Sequence, residues 1–212
     1  MINNNKKYMF YSILSFLFFG FGISLQLKAA IGQSVLNALA VTLSEAVRLK
    51  VGTILNVINS LFFVAYLLLR RSRLNYKDVM QVIATITNGA VINFFLYNIL
   101  SIFTIENYFC RIVLYMSGLG IASISLGSVL AIGIIKFPLE SLCLTISEVF
   151  KMKLTAVRLS FDVLFLVVTL IITVLAHTPL QIREGTIISI FLLSTLLGSC
   201  YEFFKKHLTM EE

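Results

Sequence analysis

Apolar blocks of about 20 residues, each closed by polar or basic residues, run the length of this chain and leave few folds open to it. A hydrocarbon layer about 30 Å thick takes roughly 20 helical residues to cross. Backbone groups in hydrocarbon are satisfied only in helices or in closed barrels. The blocks lack the two-residue alternation of barrel strands, so helices are expected. Composition agrees: 58% of residues are hydrophobic and 13% charged, against about a quarter charged in a soluble domain.

Taken in order, the spanning helices are expected at Tyr8–Leu27, Val51–Leu69, Val79–Phe103, Phe109–Leu130, Leu154–Ala176 and Gly185–Phe204. The fourth runs into a Gly-containing connection, Gly127–Lys136. Two apolar pieces are shorter, Gln33–Ala46 and Phe137–Phe150. About 14 helical residues reach only about 21 Å, so each short piece is expected to dip in and return or to lie at the interface. The first block is too long for the apolar core of a cleaved signal peptide and is read as a retained helix. The fold class is therefore an all-α membrane protein, a single polytopic domain over residues 1–212.

The net charge of +7 comes from Lys and Arg at the ends of apolar blocks, which is how topology is set, and does not point to nucleic acid. Cys110, Cys143 and Cys200 have no paired spacing, and no His/Cys/carboxylate cluster has metal-ligand spacing. No Walker loop, Ser/His/Asp set or dinucleotide fingerprint is present. No metal, cofactor or enzymatic activity is expected.

The order long, short, long, long occurs twice. Phe19-Gly20-Phe21-Gly22-Ile23 matches Ser117-Gly118-Leu119-Gly120-Ile121, and Thr42-Leu43-Ser44-Glu45 matches Thr145-Ile146-Ser147-Glu148. Lys50 then falls on Lys153, Asn59 on Asp162, Gly89 on Gly198, and Asn93-Phe94-Phe95 on Glu202-Phe203-Phe204. Repeat one covers residues 8–103 and repeat two 109–206. Three crossings per repeat is an odd number, so the second copy is expected to be inverted in the membrane.

Charge tests this arrangement. Six crossings place Lys6, Lys7, Arg70, Arg71, Arg73, Lys77, Lys136, Lys151, Lys153, Lys205 and Lys206 on the side of the N-terminus. Only Lys28, Arg48, Lys50, Arg111 and Arg183 fall on the other. The positive-inside rule then puts both termini in the cytoplasm.

The chain resembles the YczE/YyaS/YitT-type bacterial membrane proteins over nearly its whole length. The resemblance rests on the Gly-x-Gly-Ile ending of the first helix in each repeat, a small-residue loop, and a short helix ending in Leu/Ile-Ser-Glu. The Pro-x-Asp that opens the family's short helix is Phe137-Pro138-Leu139-Glu140 here, and Ser34-Val35-Leu36-Asn37 in the first repeat. A family glycine after the short helix is Gly52 in the first repeat and Thr155 in the second. The resemblance implies a polytopic bacterial inner-membrane protein of poorly defined function, with transport as a candidate role, and no catalytic residues.

The repeats differ consistently: Asn37, Asn59 and Asn93 stand where the second copy has Glu140, Asp162 and Glu202. Asp162 lies about 12 Å into its helix at 1.5 Å per residue. A charge at that depth costs at least about 2.5–3.5 kcal/mol and should face the protein interior. Arg158 is one turn away, so an Arg158–Asp162 pair is one reading and a ligand or proton site the other. Glu140 suits the positive end of its short helix, as a simple cap or as part of a site. Glu45 and Glu148 are expected in interfacial ion pairs. Asn56, Asn59, Asn88 and Asn93 either line a path or serve as interhelical glue, worth about 0.6 kcal/mol per contact.

The first expectation is a small-solute or ion transporter with its site between the repeats, formed by Asn37, Asn59, Glu140, Arg158 and Asp162. The rival is a non-transporting membrane scaffold or regulator. A polar cavity between the short helices favours transport; a dry interior with Arg158 bound to Asp162 favours the scaffold. Lipid is the one certain partner. A six-helix unit is small enough to form a homo-oligomer, though no residue pattern points to one.

Overall fold

The computed structural model describes residues 2–70, 75–133 and 136–209. Arg71 and Arg73 of the charge argument lie outside the described residues. Those described form helices α1 (Ile2–Ala29), α2 (Val35–Val47), α3 (Val51–Arg70), α4 (Tyr76–Phe94), α5 (Tyr108–Ile132), α6 (Pro138–Phe150), α7 (Leu154–Ala176) and α8 (Glu184–Thr209), with no strand. Six of them are long and apolar enough to cross a membrane. The protein is a multi-pass membrane protein.

The two middle helices, α1 and α5, form the axis. They run antiparallel: Ser128 Oγ donates to Ser15 Oγ at 2.7 Å, and further along Gly22 meets Gly118 and Ala122. A Cβ on Gly22 would lie 2.8 Å from the Gly118 oxygen, and one on Gly118 2.7 Å from the Gly22 oxygen. Association in lipid relies on such close packing, because lipid tails are as apolar as the helix surfaces.

Around this axis the halves exchange partners. α4 packs on α1 as α8 packs on α5, and α2 rests on α7 as α6 rests on α3. Each short helix thus bridges to the other half. Phe62 of α3 stacks against its counterpart Phe165 of α7, ring centroids 5.6 Å apart, where the two halves face each other.

The repeated Ser-Glu motif has a structural cause. Both short helices end on a left-handed residue, Arg48 (φ 56°) and Lys151 (φ 53°). In each, the motif serine hydroxyl reaches past that residue, Ser44 to the Leu49 carbonyl and Ser147 to the Met152 carbonyl at 2.7 Å. The backbone of Leu49 and of Met152 donates back to the same serine, each at 3.1 Å. These paired bonds satisfy carbonyls that a helix end leaves open and turn the chain directly into α3 and α7.

The sequence reading needs adjustment in two places. The third span is not one uniform helix: after Phe94 it widens to a π-turn over Phe95–Ile99 and then tightens to a 3₁₀ turn over Leu100–Ile102. The altered winding lets Phe95 stack on Phe21 and brings the Tyr97 hydroxyl to accept from the Val51 N–H at 3.2 Å. Gly127, assigned to a connection, lies inside α5, where its missing side chain lets Cys200 of α8 approach. The helix stops instead at Gly133, φ 68°, a conformation that costs glycine little.

Candidate binding site between the two halves

Four of the five residues singled out from sequence converge. Asn37, Asn59, Glu140 and Arg158 line one cavity of about 90 Å³, enclosed by α1, α5, the N-terminal turns of both short helices, and α3, α4, α7 and α8. The N-termini arrive there because Pro138 and Val35 each open a short helix directly after a tight connection. Proline suits that first position, having no N–H to leave unpaired.

The cavity is rich in carboxamides. Gln26 and Asn88 join Asn37 and Asn59 in its wall. Gln26, Asn37 and Asn88 are 3%, 6% and 6% exposed. Among the described residues none of these four side chains has a hydrogen-bonding partner. An unpaired buried amide costs about 1–3 kcal/mol, and native interiors pair nearly all such groups with protein or water. Three of the four are buried and Asn59 is half-buried, so the cavity wall presents amide groups that the protein itself leaves unpaired.

The charged side of the cavity differs from expectation. Arg158 Nη1 donates to Glu140 Oε1 at 2.9 Å, while its Nε lies 3.7 Å from Asp162 Oδ1. The closer partner is across the loop, not one turn along the same helix. α6 packs beside α7, which brings the Glu140 carboxylate within reach of the Arg158 guanidinium. Glu140 sits in the first turn of α6 as expected, but its carboxylate is turned to Arg158 and α6 has no side-chain cap. Asp162 is half-buried and outside the cavity wall. Three charges therefore share one place, one positive and two negative.

Gln26 is the lining residue that sequence reasoning missed. A lone amide just before Lys28 read as a helix end, yet a polar residue between Leu25 and Leu27 was the available signal. Elsewhere, Glu45 is bound by Gln181 Nε2 at 2.9 Å, not by a basic side chain, and Glu202 is exposed near the end of α8. Asp78, 3% exposed, holds Arg70 at 3.0 Å. That pair lies at one end of α3 and α4, where Asp78 also closes the capping box with Asn75. Among the described residues no group of three or more His, Cys, Asp or Glu side chains is placed to hold a metal ion.

Against known proteins, the sequence matches DUF6198, a family of unknown function, over residues 5–205. No curated protein matches it, and no solved structure does.

Proposed function

The chain belongs to DUF6198, a family of unknown function, and we propose from the site itself that it is a transporter of a small polar solute or ion. The supporting observation is the set of four unpartnered carboxamides around one cavity beside the Arg158–Glu140 pair. Carboxamides both donate and accept, so they replace the hydration of a polar solute without a fixed charge. The cavity lies where two antiparallel halves meet and where both short helices begin, the arrangement inverted-repeat transporters use for binding. At roughly 30 Å³ per water, about 90 Å³ holds a few waters or one small solute.

The resemblance to the YczE/YyaS/YitT-type proteins supports the same reading, as do the polar side chains set into the otherwise apolar walls of the space between the short helices. The reading assigns no covalent chemistry to the chain. The excess of Lys and Arg at the end carrying both termini supports a bacterial inner-membrane protein with those termini in the cytoplasm.

The test is thermal-shift screening of the purified protein against metabolites and ions. A true ligand stabilises the fold by mass action, by roughly 2.7 kcal/mol at a hundredfold excess over its Kd, and so raises the melting temperature. Asn59→Leu, at a half-buried position, should keep the fold and abolish that shift. A ligand that stabilises both proteins equally binds elsewhere and defeats the proposal.

A further inference from the structure

The Arg158–Glu140 pair has a second side. It also lines a larger cavity, about 350 Å³, between α5, α6, α7 and α8. Leu126, Leu130, Leu144, Leu154, Leu193 and Leu197 supply most of its walls. Leu126, Leu193, Glu140 and Arg158 belong to both cavities, so the ion pair stands in the partition between them. The larger space falls within the range of small-molecule sites, about 300–1,000 Å³.

Helices α7 and α8 do not pack together over this cavity, which leaves it open between two helices long and apolar enough to cross a membrane. In the first half, α3 and α4 pack tightly at the corresponding place. A Cβ on Gly89 would strike Asn56 Oδ1 at 2.2 Å and the Gly52 oxygen at 2.5 Å. Its counterpart Gly198 lines the larger cavity, and a Cβ there meets nothing within 4 Å. A molecule dissolved in lipid can therefore reach the ion pair between two membrane-crossing helices without first entering water.

Charge selects which molecule. One guanidinium is shared by two carboxylates, Glu140 at 2.9 Å in the cavity wall and Asp162 at 3.7 Å just outside it, so the cluster as a whole carries one negative charge. The first half has Leu55, Asn37 and Asn59 at these positions and no charge at all. An uncompensated charge in low dielectric is costly, and a monocation removes the cost.

We propose that the cleft between α7 and α8 admits a lipophilic monocation from the bilayer, its apolar part against the leucines and its charge beside Glu140. This deepens the transporter reading and rests on it for the link to the inner cavity.

The experiment uses the full chain in lipid nanodiscs and equilibrium binding of radiolabelled tetraphenylphosphonium. Tetraphenylborate serves as the anion of the same shape, and empty nanodiscs as the blank. The phosphonium should bind saturably and the borate should not. Glu140→Gln, which returns the local charge to zero, should weaken phosphonium binding about tenfold or more, equivalent to roughly 1.4 kcal/mol. Gly198→Phe, which fills the cleft from a position with free space, should remove phosphonium binding. It should leave the melting temperature and any solute-induced thermal shift intact.

Equal or tighter binding of the borate would overturn the proposal, as would phosphonium binding untouched by Gly198→Phe. A solute-induced shift without saturable phosphonium binding sinks the cleft and spares the inner site. Phosphonium binding that obeys both variants, with no solute found, does the reverse.

Discussion

Helices α3 and α4 and helices α7 and α8 hold corresponding places in the two halves, and they are joined very differently. Between α3 and α4 the backbones touch at Gly52 and Gly89. Asn93 then ties the seam, accepting from the Gly52 N–H at 2.9 Å and donating to Thr53 Oγ1 at 3.2 Å. Asn56 donates to the Ile86 carbonyl at 3.3 Å. The corresponding residues in the second half are Thr155 for Gly52, Leu159 for Asn56 and Glu202 for Asn93. Neither Thr155 nor Leu159 can repeat the contact, and an ionised Glu202 has no N–H to donate as Asn93 does. Threonine carries a side chain where the first half has none, leucine offers no hydrogen bond, and Leu159 is 62% exposed. The lesson is that one helical plan yields a closed seam or an open cleft on the strength of a few residues. In lipid this follows from the physics, since helices without a hydrophobic drive between them associate only where backbones come close or polar groups pair.

The sharpest way to break the comparison is to give each half the same substitution. Gly89→Leu places atoms where the Gly52 carbonyl and Asn56 already sit. Overpacking costs about 1–3 kcal/mol and more when backbone must move, and here the obstacle is partly backbone. The expected result is loss of monodisperse protein on size-exclusion chromatography, or a fall in melting temperature on the order of 10 °C. Gly198→Leu should leave both measurements at the wild-type value. Similar damage from the two would mean that the halves are packed alike.

A smaller effect is expected from converting the second half's charges into the first half's pattern. Arg158→Leu leaves Glu140 and Asp162 facing each other without a cation. Glu140→Asn leaves Arg158 with only the more distant Asp162. Removing one partner of a fully buried pair costs about 3–5 kcal/mol. These side chains are 38% and 24% exposed, so each single change should cost about 1–2 kcal/mol. The double variant reproduces Leu55 and Asn37 and should recover at least half of the combined loss. A double-mutant cycle in denaturant reads the coupling; strictly additive losses would show that the pair contributes nothing as a pair.

The contrast also shows how far the residues alone could be followed. Helix number, the two short helices and the matched Ser-Glu turns were legible because each is local: a long apolar block, a block too short to cross, a serine at a fixed spacing from a helix end. Asn37 and Glu140 were legible because the repeat places them at equivalent positions in the first turns of the two short helices, and Asn59 and Arg158 because each is a polar residue inside an apolar block. The pairing of Arg158 with Glu140 rather than Asp162 was not, since it depends on how α6 lies against α7. Nor was the difference between the seams. Gly89 and Gly198 look identical in sequence, and only the residues opposite them decide whether each is filled or free. The π-turn after Phe94 has no periodic signature at all.

Thr155→Gly sharpens the comparison from the other direction by supplying the missing glycine of the second seam. A glycine in a helix costs about 1 kcal/mol, so a modest loss of stability is expected. The informative readout is the cleft: tetraphenylphosphonium affinity should fall by a few-fold as α7 and α8 gain the freedom to approach. Unchanged affinity would show that a glycine at this position is not enough to close the second seam.

The smallest effect concerns the ends of the short helices, where Glu45 and Glu148 correspond. Partial burial raises the Glu45 carboxyl above its usual range, and the bond from Gln181 opposes the shift. A carboxyl whose folded value is raised binds its proton more tightly in the native state. Stability should therefore decline as pH rises from the ordinary glutamate range through the folded value, and be flat above it. Glu45→Gln should remove that slope, and Gln181→Ala should steepen it by withdrawing the opposing bond. Melting temperatures between about pH 4 and 7 measure both. A slope that survives Glu45→Gln would place the titrating group elsewhere and show that the two short-helix ends differ only in their neighbours.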